Sequence, residues 1–410
     1  MILYNNVYYM ASEILLTVAD NTRPGMRPKK QPNRRVIRDL GTRERHFASI
    51  IRRYGFISRR EIHRLTGVHP TLTGHAVARL LDSGLISSRE VQGTTERGRP
   101  QVPLQVEPDK RLFLGLSIAP GVVRLARVDP AGHRRGEEFV QQVSRSSALI
   151  STAAKLLAEQ INNKVFSIGV SFTGVVSPED RTLLFSSSIP MSRAISLEPI
   201  YAAAGSVPLI VNNDMHAMAM HWLLANQPVR SDVLIVGVGD GSLGASLLVD
   251  GRPHRGIVTA ANELGHMRFA VETDRCYCGQ FGCLERIVSS AQLRRFGAVT
   301  QRPLEAVAKE PGEDAAALER VLEHFAGGIA NTVNLVGVGR VVIASGMVRH
   351  EHFTKYFREH LPPLLLPGFR EKVEIDFWPQ FVLQSAENAA WLALADVFGA
   401  SVSQTGASRK

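Results

Sequence analysis

A chain of 410 residues with 44% hydrophobic and 21% charged residues has the composition of a globular protein of two or three domains, not of a disordered or fibrous polymer. Its formal net charge of +10 is confined to one quarter: residues 1–105 hold 18 Lys/Arg against 8 Asp/Glu, and the remainder holds 30 of each. That asymmetry points to a polyanion-binding module joined to a neutral body, with a basic solvated tail as the plainer alternative. No apolar run approaches the roughly 20 residues needed to span a bilayer. The opening stretch is broken by Glu13 and Asp20 and lacks a basic lead, so neither membrane insertion nor a signal peptide is expected, and the expected compartment is the cytoplasm.

In chain order, residues 1–41 read as a flexible basic arm, because Pro24, Pro28, Pro32 and the cluster Arg27 to Arg38 leave few apolar anchors. From Arg43 the pattern turns helical: Phe47, Ile50, Ile51 and Tyr54 recur at helical spacing and Gly55 ends the run. Ser58 followed by Glu61 predicts a reciprocally capped second helix, with Ile62 and Leu65 inward and a stop at Gly67. Pro70 suits the first turn of a third helix, whose inward face is Val77, Leu80 and Leu81 and whose end is Gly84.

Helix, tight turn, helix is the arrangement that places its second helix in the major groove. Leu85–Val91 and Val102–Val106 predict two strands, the second confined to an edge by Pro103, with the basic glycine-hinged tip Gly93–Pro100 between them. Residues 42–106 are therefore expected to form a winged helix-turn-helix on double-stranded operator DNA. The DNA-binding candidates are Arg59, Thr71, Thr73, His75, Arg79, Arg97 and Arg99. Small hydroxyls suit base edges and thymine methyls, Arg79 suits phosphate, and Arg97 and Arg99 supply attraction to any sequence. A winged helix that docks a protein is the alternative, and the basic excess opposes it.

Beyond Pro108, strands and helices alternate. Phe113–Ile118 and Val122–Val128 predict a hairpin, Ala148–Ile161 a helix, and Ser167–Ser171, Leu209–Val211 and Val233–Val238 strands. A helix over Ala326–Leu335 precedes a strand over Arg340–Ile343. Residues 107–400 thus read as an α/β body with two subdomains, followed by a tail, 401–410. All three cysteines fall at Cys276, Cys278 and Cys283, just after His266. Three thiolates and an imidazole complete a tetrahedral zinc shell and leave no open position, so the metal would hold a loop rather than do chemistry. An odd count with no cysteine elsewhere argues against a disulfide framework. Three ordinary buried thiols are the alternative.

The run Glu263-Leu264-Gly265-His266, followed by Cys276-Tyr277-Cys278-Gly279-Gln280-Phe281-Gly282-Cys283-Leu284-Glu285, resembles the signature of the ROK family (repressors, open reading frames, kinases). Ile57–Ile62 and Gly98-Arg99-Pro100 resemble its repressor branch, and the likeness covers about residues 43–400. It implies an actin-like, ribonuclease-H-like pair of subdomains around a sugar cleft, assembled as a homodimer or homotetramer. It also implies structural zinc on His266, Cys276, Cys278 and Cys283, and sugar contacts from Asn213, Asp214, Glu263, His266 and Glu285.

The nucleotide elements of the family are altered. Ser117-Ile118-Ala119-Pro120-Gly121 stands where kinases carry Asp-x-Gly-Gly-Thr, and the proline cannot donate an amide. Asp240-Gly241-Ser242-Leu243-Gly244 puts a negative charge where phosphate would lie, and Ser345-Gly346 replaces Gly-Gly. The sugar cleft departs as well, with His216 for asparagine and Thr173-Gly174 for Pro-Gly, which changes the sugar that fits or ends sugar binding. The expectation is a sugar-responsive repressor, sensing a carbohydrate or its phosphate, with a degraded ATP site and no kinase activity. A sugar kinase with an accessory DNA-binding domain is the alternative, and a regulatory protein at the zinc loop is a second route of control.

Overall fold

The computed structural model describes residues 38–89, 102–186, 188–226, 229, 231–239, 242–254, 256, 262–269, 273–288, 313–379 and 385–399. All but the last four residues of the expected arm, the wing tip with Arg97 and Arg99, Asp240 with Gly241, and the tail lie outside the described residues.

The head is built as its local signals dictate. Helix α1 (Thr42–Tyr54) ends at Gly55, and α2 (Arg59–Thr66) opens on the reciprocal cap, with the Glu61 amide donating to Ser58 Oγ at 3.2 Å and the Ser58 amide to Glu61 at 2.8 Å. Those two bonds satisfy amides that a helix start otherwise leaves open, and the Ser58 amide holds the Glu61 carboxyl below its usual pKa. Gly67 turns the chain with φ +67° into α3 (Pro70–Ser83). Strands β1 (Ile86–Ser88) and β2 (Leu104–Val106) pair antiparallel, Ile86 opposite Val106. Leu65, expected inward, is 41% exposed, and Tyr54, placed on the apolar repeat of α1, is 51% exposed. Short helices bury a narrower stripe than periodicity alone suggests, and here Phe47, Ile51, Ile62, Val77 and Leu80 fill it.

The body holds the same sheet twice. In lobe one, β3 (Leu112–Ala119), β4 (Val122–Val128) and β5 (Phe139–Gln142) form an antiparallel meander. After α4 (Leu149–Gln160) comes β6 (Val165–Phe172), parallel to β3. A small sheet of β7 (Val175–Ser177), β8 (Thr182–Phe185) and β9 (Ile195–Ser196) and the helix α5 (Glu198–Ala204) lead to β10 (Leu209–Asn213), parallel to β6. The order is β5-β4-β3-β6-β10.

Helix α6 (Asp214–Ala225) then crosses to lobe two. There β11 (Val233–Gly239), β12 (Ser242–Val249) and β13 (Arg252–Pro253) repeat the meander. Past the short α7 (Leu284–Ile287) and the long α8 (Glu313–Val336) come β14 (Arg340–Ser345), α9 (Glu351–Leu364), α10 (Pro367–Arg370) and β15 (Glu374–Trp378). The order β13-β12-β11-β14-β15 is that of lobe one. Two such sheets are the actin-like, ribonuclease-H-like body. The last helix, α11 (Ala386–Phe398), returns to pack on lobe one.

Lobe one accepts α11 on bare backbone. A Cβ on Gly115 would come within 1.8 Å of the Ala386 carbonyl oxygen, and one on Gly169 within 1.8 Å of that of Ala389. The buried face of the head then joins this packing: Phe47, Ile51, Ile57 and Leu104 share one apolar cluster with Phe113, Val128, Phe166, Trp391 and Phe398. Arg45 also reaches Asp396 on α11. The boundary expected at 106/107 falls between β2 and β3, and the apolar surfaces on its two sides form one continuous packing.

Candidate functional site

Five expected residues meet in one open cleft that is lined from both lobes. Lobe one supplies Thr173, Gly174 and Phe185, with Asn213 and Asp214 from the carboxyl end of β10; lobe two supplies Leu243, Asn262, Glu263, His266 and Glu285. Asn213 caps α6, its Oδ1 accepting from the His216 amide at 2.7 Å, and so fixes Asp214 at the first helical position. Asp214 accepts from the Met215 amide at 2.9 Å. Burial pushes its carboxyl up to about 6, against the opposing pull of the Thr173 hydroxyl and the Met215 amide.

Glu263 and Glu285 are also pushed up, first by burial; His266 offsets this for Glu263 and the Leu243 amide does so for Glu285, which accepts from it at 3.2 Å. Three carboxyl groups crowded into a half-dry cleft are acceptors awaiting donors. Vicinal hydroxyls supply such donors, and a ligand missing one leaves a buried acceptor unpaired.

The metal-ligating candidates adjoin this cleft. Leu264–His266 is a single tight turn after Glu263, and a Cβ on Gly265 would meet the Leu243 carbonyl at 2.2 Å, so only a bare backbone lets the turn press on β12. Cys276 to Gly279 is a second turn, and Cys283 caps α7. The Leu284 amide donates to Met267 O at 2.9 Å and that of Phe269 to Gly282 O at 2.8 Å, which brings the two turns together.

One ligand atom from each of His266, Cys276, Cys278 and Cys283 lies within 4.8 Å of the others. Cys276 Sγ is 3.6 Å from His266 Nδ1, and Cys278 Sγ is 3.6 Å from Cys283 Sγ. Sulfurs tetrahedral about zinc at ~2.3 Å stand about 3.8 Å apart, so the spacing of the donor set is compatible with that ion. Burial pushes the Cys283 thiol up, which sets a cost on thiolates here that a bound dication offsets. The imidazole also faces two ways, with Nδ1 on the cysteines and Nε2 3.9 Å from Glu263. His266 therefore belongs to both groups.

In the head, Arg59, Thr71 and His75 are exposed on α2 and α3. Thr73 is not: it is 1% exposed, and its hydroxyl donates back to the carbonyls of Val68 and His69 at 3.1 and 3.2 Å. Its place among the DNA contacts is corrected accordingly, since an inward hydroxyl bonded to its own helix start cannot reach a base. Arg79 is 48% exposed and held toward α1, 3.2 Å from Glu44 and bonded to Asp39 O at 2.6 Å. The reading overlooked Leu72, 42% exposed beside Thr71, and the exposed Arg60 and Arg64 of α2. It also missed Phe185, 47% exposed at the cleft, and Asn262, whose φ of +67° sets the direction of Glu263.

A family model described as ROK family matches residues 124–395. The xylose repressor of Caldicellulosiruptor bescii is 24% identical over 336 residues, covering 74% of this chain and 82% of that protein. The DNA-binding transcriptional repressor Mlc of Escherichia coli is 26% identical over 250 residues, 58% of this chain and 61% of that protein. Among solved structures, a ROK family transcriptional regulator described as a homologue of E. coli Mlc superposes with a TM-score of 0.67 at 22% identity, covering 87% of this chain and 98% of its own. A ROK family glucokinase from Streptomyces griseus, solved with glucose and AMPPNP, superposes at 0.56 and 20% identity, covering 70% and 99%. These likenesses show the fold of head and body together in the first case and of the body alone in the second.

Proposed function

This chain belongs to the ROK family, and we propose that it is a transcriptional repressor that binds operator DNA through its head and releases or seizes it in response to a sugar or sugar phosphate in the interlobe cleft. The observation that carries the reading is the continuity of one apolar cluster from the helix-turn-helix to the lobe that bears Asp214. A carboxylate-lined cleft and a basic helical head on one packed frame are what a ligand-controlled DNA binder needs. Repressors among its relatives support the reading.

Thr71, Leu72 and His75 on the open face of α3 would read base edges, and Arg59, Arg60 and Arg64, with Arg97 and Arg99 of the wing, would bear on phosphate. Asp214, Glu263 and Glu285 would accept from sugar hydroxyls, with the Nε2 edge of His266 donating beside them. Zinc on His266, Cys276, Cys278 and Cys283 would fix the loop that carries two of these groups and would supply structure alone. A homodimer would present paired heads to a two-fold site.

Against catalysis stands the tip of the β3–β4 hairpin. Pro120 has no amide to offer a phosphate there, although Asp214 keeps the position and the raised pKa of a base. We infer no kinase activity.

The test is selection of genomic DNA fragments by the purified chain at near-physiological salt, with and without D-glucose, D-xylose and N-acetyl-D-glucosamine. The expected result is a palindromic fragment whose occupancy changes with one sugar. Recovery of no preferred fragment, or sugar-dependent consumption of ATP, overturns the reading.

A further inference from the structure

Two of the three tryptophans of the chain meet at one imidazole, and the third stands beside it in sequence. Trp391 of α11 stacks on His221 with centroids 4.4 Å apart and planes at 12°, Trp378 at the end of β15 meets it edge-on at 5.2 Å and 83°, and Trp222 is its chain neighbour. Trp391 rides on the helix seated in lobe one, and Trp378 ends the edge strand of lobe two. His221 is therefore held between a ring from each lobe. Its Nδ1 meets Asn388 Oδ1 at 2.7 Å, and burial lowers its pKa to about 4, so it acts as a neutral ring. It stands on α6, the helix whose first residue is Asp214 in the cleft.

The head reaches this point through one side chain. The Arg52 guanidinium of α1 lies over the Trp391 indole at 5.0 Å. Its two terminal nitrogens donate to Leu224 O, at the far end of α6, at 3.2 Å and to Ala131 O, in the turn after β4, at 3.3 Å. That turn is stiff, because buried Asp129 accepts from the amides of Ala131, Gly132 and His133 at 2.9–3.0 Å. Gly132 presses on the indole so closely that a Cβ there would meet it at 2.6 Å. Arg52 Nε and Trp391 Nε1, by contrast, are buried with no acceptor among the described residues. Arg52 itself is held there by a ring face and two long hydrogen bonds, which leaves the head free to slide on the junction at small cost compared with a network of short directional bonds.

We infer that Arg52 is the positioning residue through which the head senses the angle between the lobes. Cleft closure on a sugar moves Trp378 against His221, shifts the end of α6 that carries the Leu224 carbonyl, and moves α1 with Arg52. The inference rests on the sugar-sensing reading and names its transmission. An ordinary static buried contact is the competing account, and it predicts loss of stability without loss of communication.

The experiment uses the full chain, the genomic fragment it selects, and D-glucose, D-xylose and N-acetyl-D-glucosamine as probes. Calorimetry identifies the sugar that binds; tryptophan emission, to which Trp391 and Trp378 of this junction contribute, changes when it does. Arg52→Lys keeps the charge but loses the planar stack and the two-direction fork. It is expected to leave sugar affinity and sugar-free fragment affinity within about twofold, while the ratio of fragment affinities with and without sugar falls at least about fivefold toward one. Trp391→Phe keeps a ring and lowers the ratio less, and the double variant goes no further than Arg52→Lys alone, as expected for two residues of one junction.

An unchanged ratio in both variants overturns the inference, including the case where Arg52→Lys only weakens fragment binding with and without sugar alike. Heat from none of the three sugars removes the sensing reading, and this inference with it. Sugar heat with an intact ratio removes this inference alone.

Discussion

The two lobes share a strand order and are completed by opposite means. Lobe one receives α11 on the bare backbone of Gly115 and Gly169, with helix carbonyls where side chains would otherwise stand. Lobe two receives α8 and α9 on apolar side chains: Phe325 of α8 and Phe353 and Phe357 of α9 share one cluster with Leu234, Val236, Val341 and Ile343 of the sheet, and Phe325 meets Phe357 between the two helices at 5.1 Å. Its ligand loop has few apolar anchors and is gathered around four metal-type donors instead. Topology alone therefore does not set tolerance. Backbone-on-backbone packing admits no added atom, ring packing admits small changes, and a loop of polar turns depends on what its donors hold.

The sharpest way to break this contrast is Gly169→Val, which places a side chain 1.8 Å from the Ala389 carbonyl and is expected to cost more than about 4 kcal/mol, leaving little folded protein by circular dichroism. A folded variant with ordinary denaturant midpoint would show that α11 is not seated as described.

In lobe two, Cys278→Ser removes one of four donors. Metal analysis of the wild type is expected to give one zinc per chain and of the variant none, with the melting temperature lowered by several degrees, on the order of 2–4 kcal/mol. Wild-type protein that is folded and metal-free contradicts this assignment.

At the seam between the lobes, Asp214 makes function and stability oppose each other. Its folded pKa of about 6 exceeds the ordinary 3.8, so the folded state holds the proton more tightly than the unfolded chain. The stabilising contribution is fully present below pH 4 and is lost as pH rises through about 6. Asp214→Asn should therefore gain about 1–2 kcal/mol at pH 8, discounted for partial solvent access, and nothing at pH 3.5, while sugar binding falls by more than about 100-fold. Equal unfolding midpoints for the two proteins at pH 8 would contradict the burial argument.

In the head the effects fall on sequence preference more than on stability. Thr71→Ala and His75→Ala should shift sequence preference among selected fragments by roughly 1–3 kcal/mol per lost contact, whereas Thr73→Ala should lower stability by about 1 kcal/mol and leave preference unchanged. A changed preference with Thr73→Ala would return that residue to the interface.

How much was legible follows from which elements carry a period. The cap Ser58-x-x-Glu61, the glycines at 67 and 84 and the hairpin over β3 and β4 were readable because their signals are local and each residue has one role. Helices α6 and α11 gave no such pattern. Ala386 and Asn388 to Leu394 are buried without interruption, and so are Met215 to Ala219, because both helices are enclosed on every side. The start of α8 and all of α9 were also missed, α9 in part because Pro362 and Pro363 stand inside its last turn.

The same division runs through the site. Cysteine spacing and the Glu-Leu-Gly-His run marked the four metal-type donors, since ligands for one ion must recur in a short compass. Asn213 and Asp214, by contrast, became part of the candidate set through family resemblance, and only the meeting of β10 with the second lobe places them opposite Glu263. The sequence by itself determined the charge of the head, its caps and turns, and the donor set of the loop, because these depend on neighbours a few residues apart. Tertiary structure decided the inward turn of Thr73, the pairing of Arg79 with Glu44, the elevated carboxyl of Asp214 and the meeting of Arg52 with Trp391 and His221. Each of these depends on contacts or burial that only packing between elements supplies, and local spacing carries no signal for that.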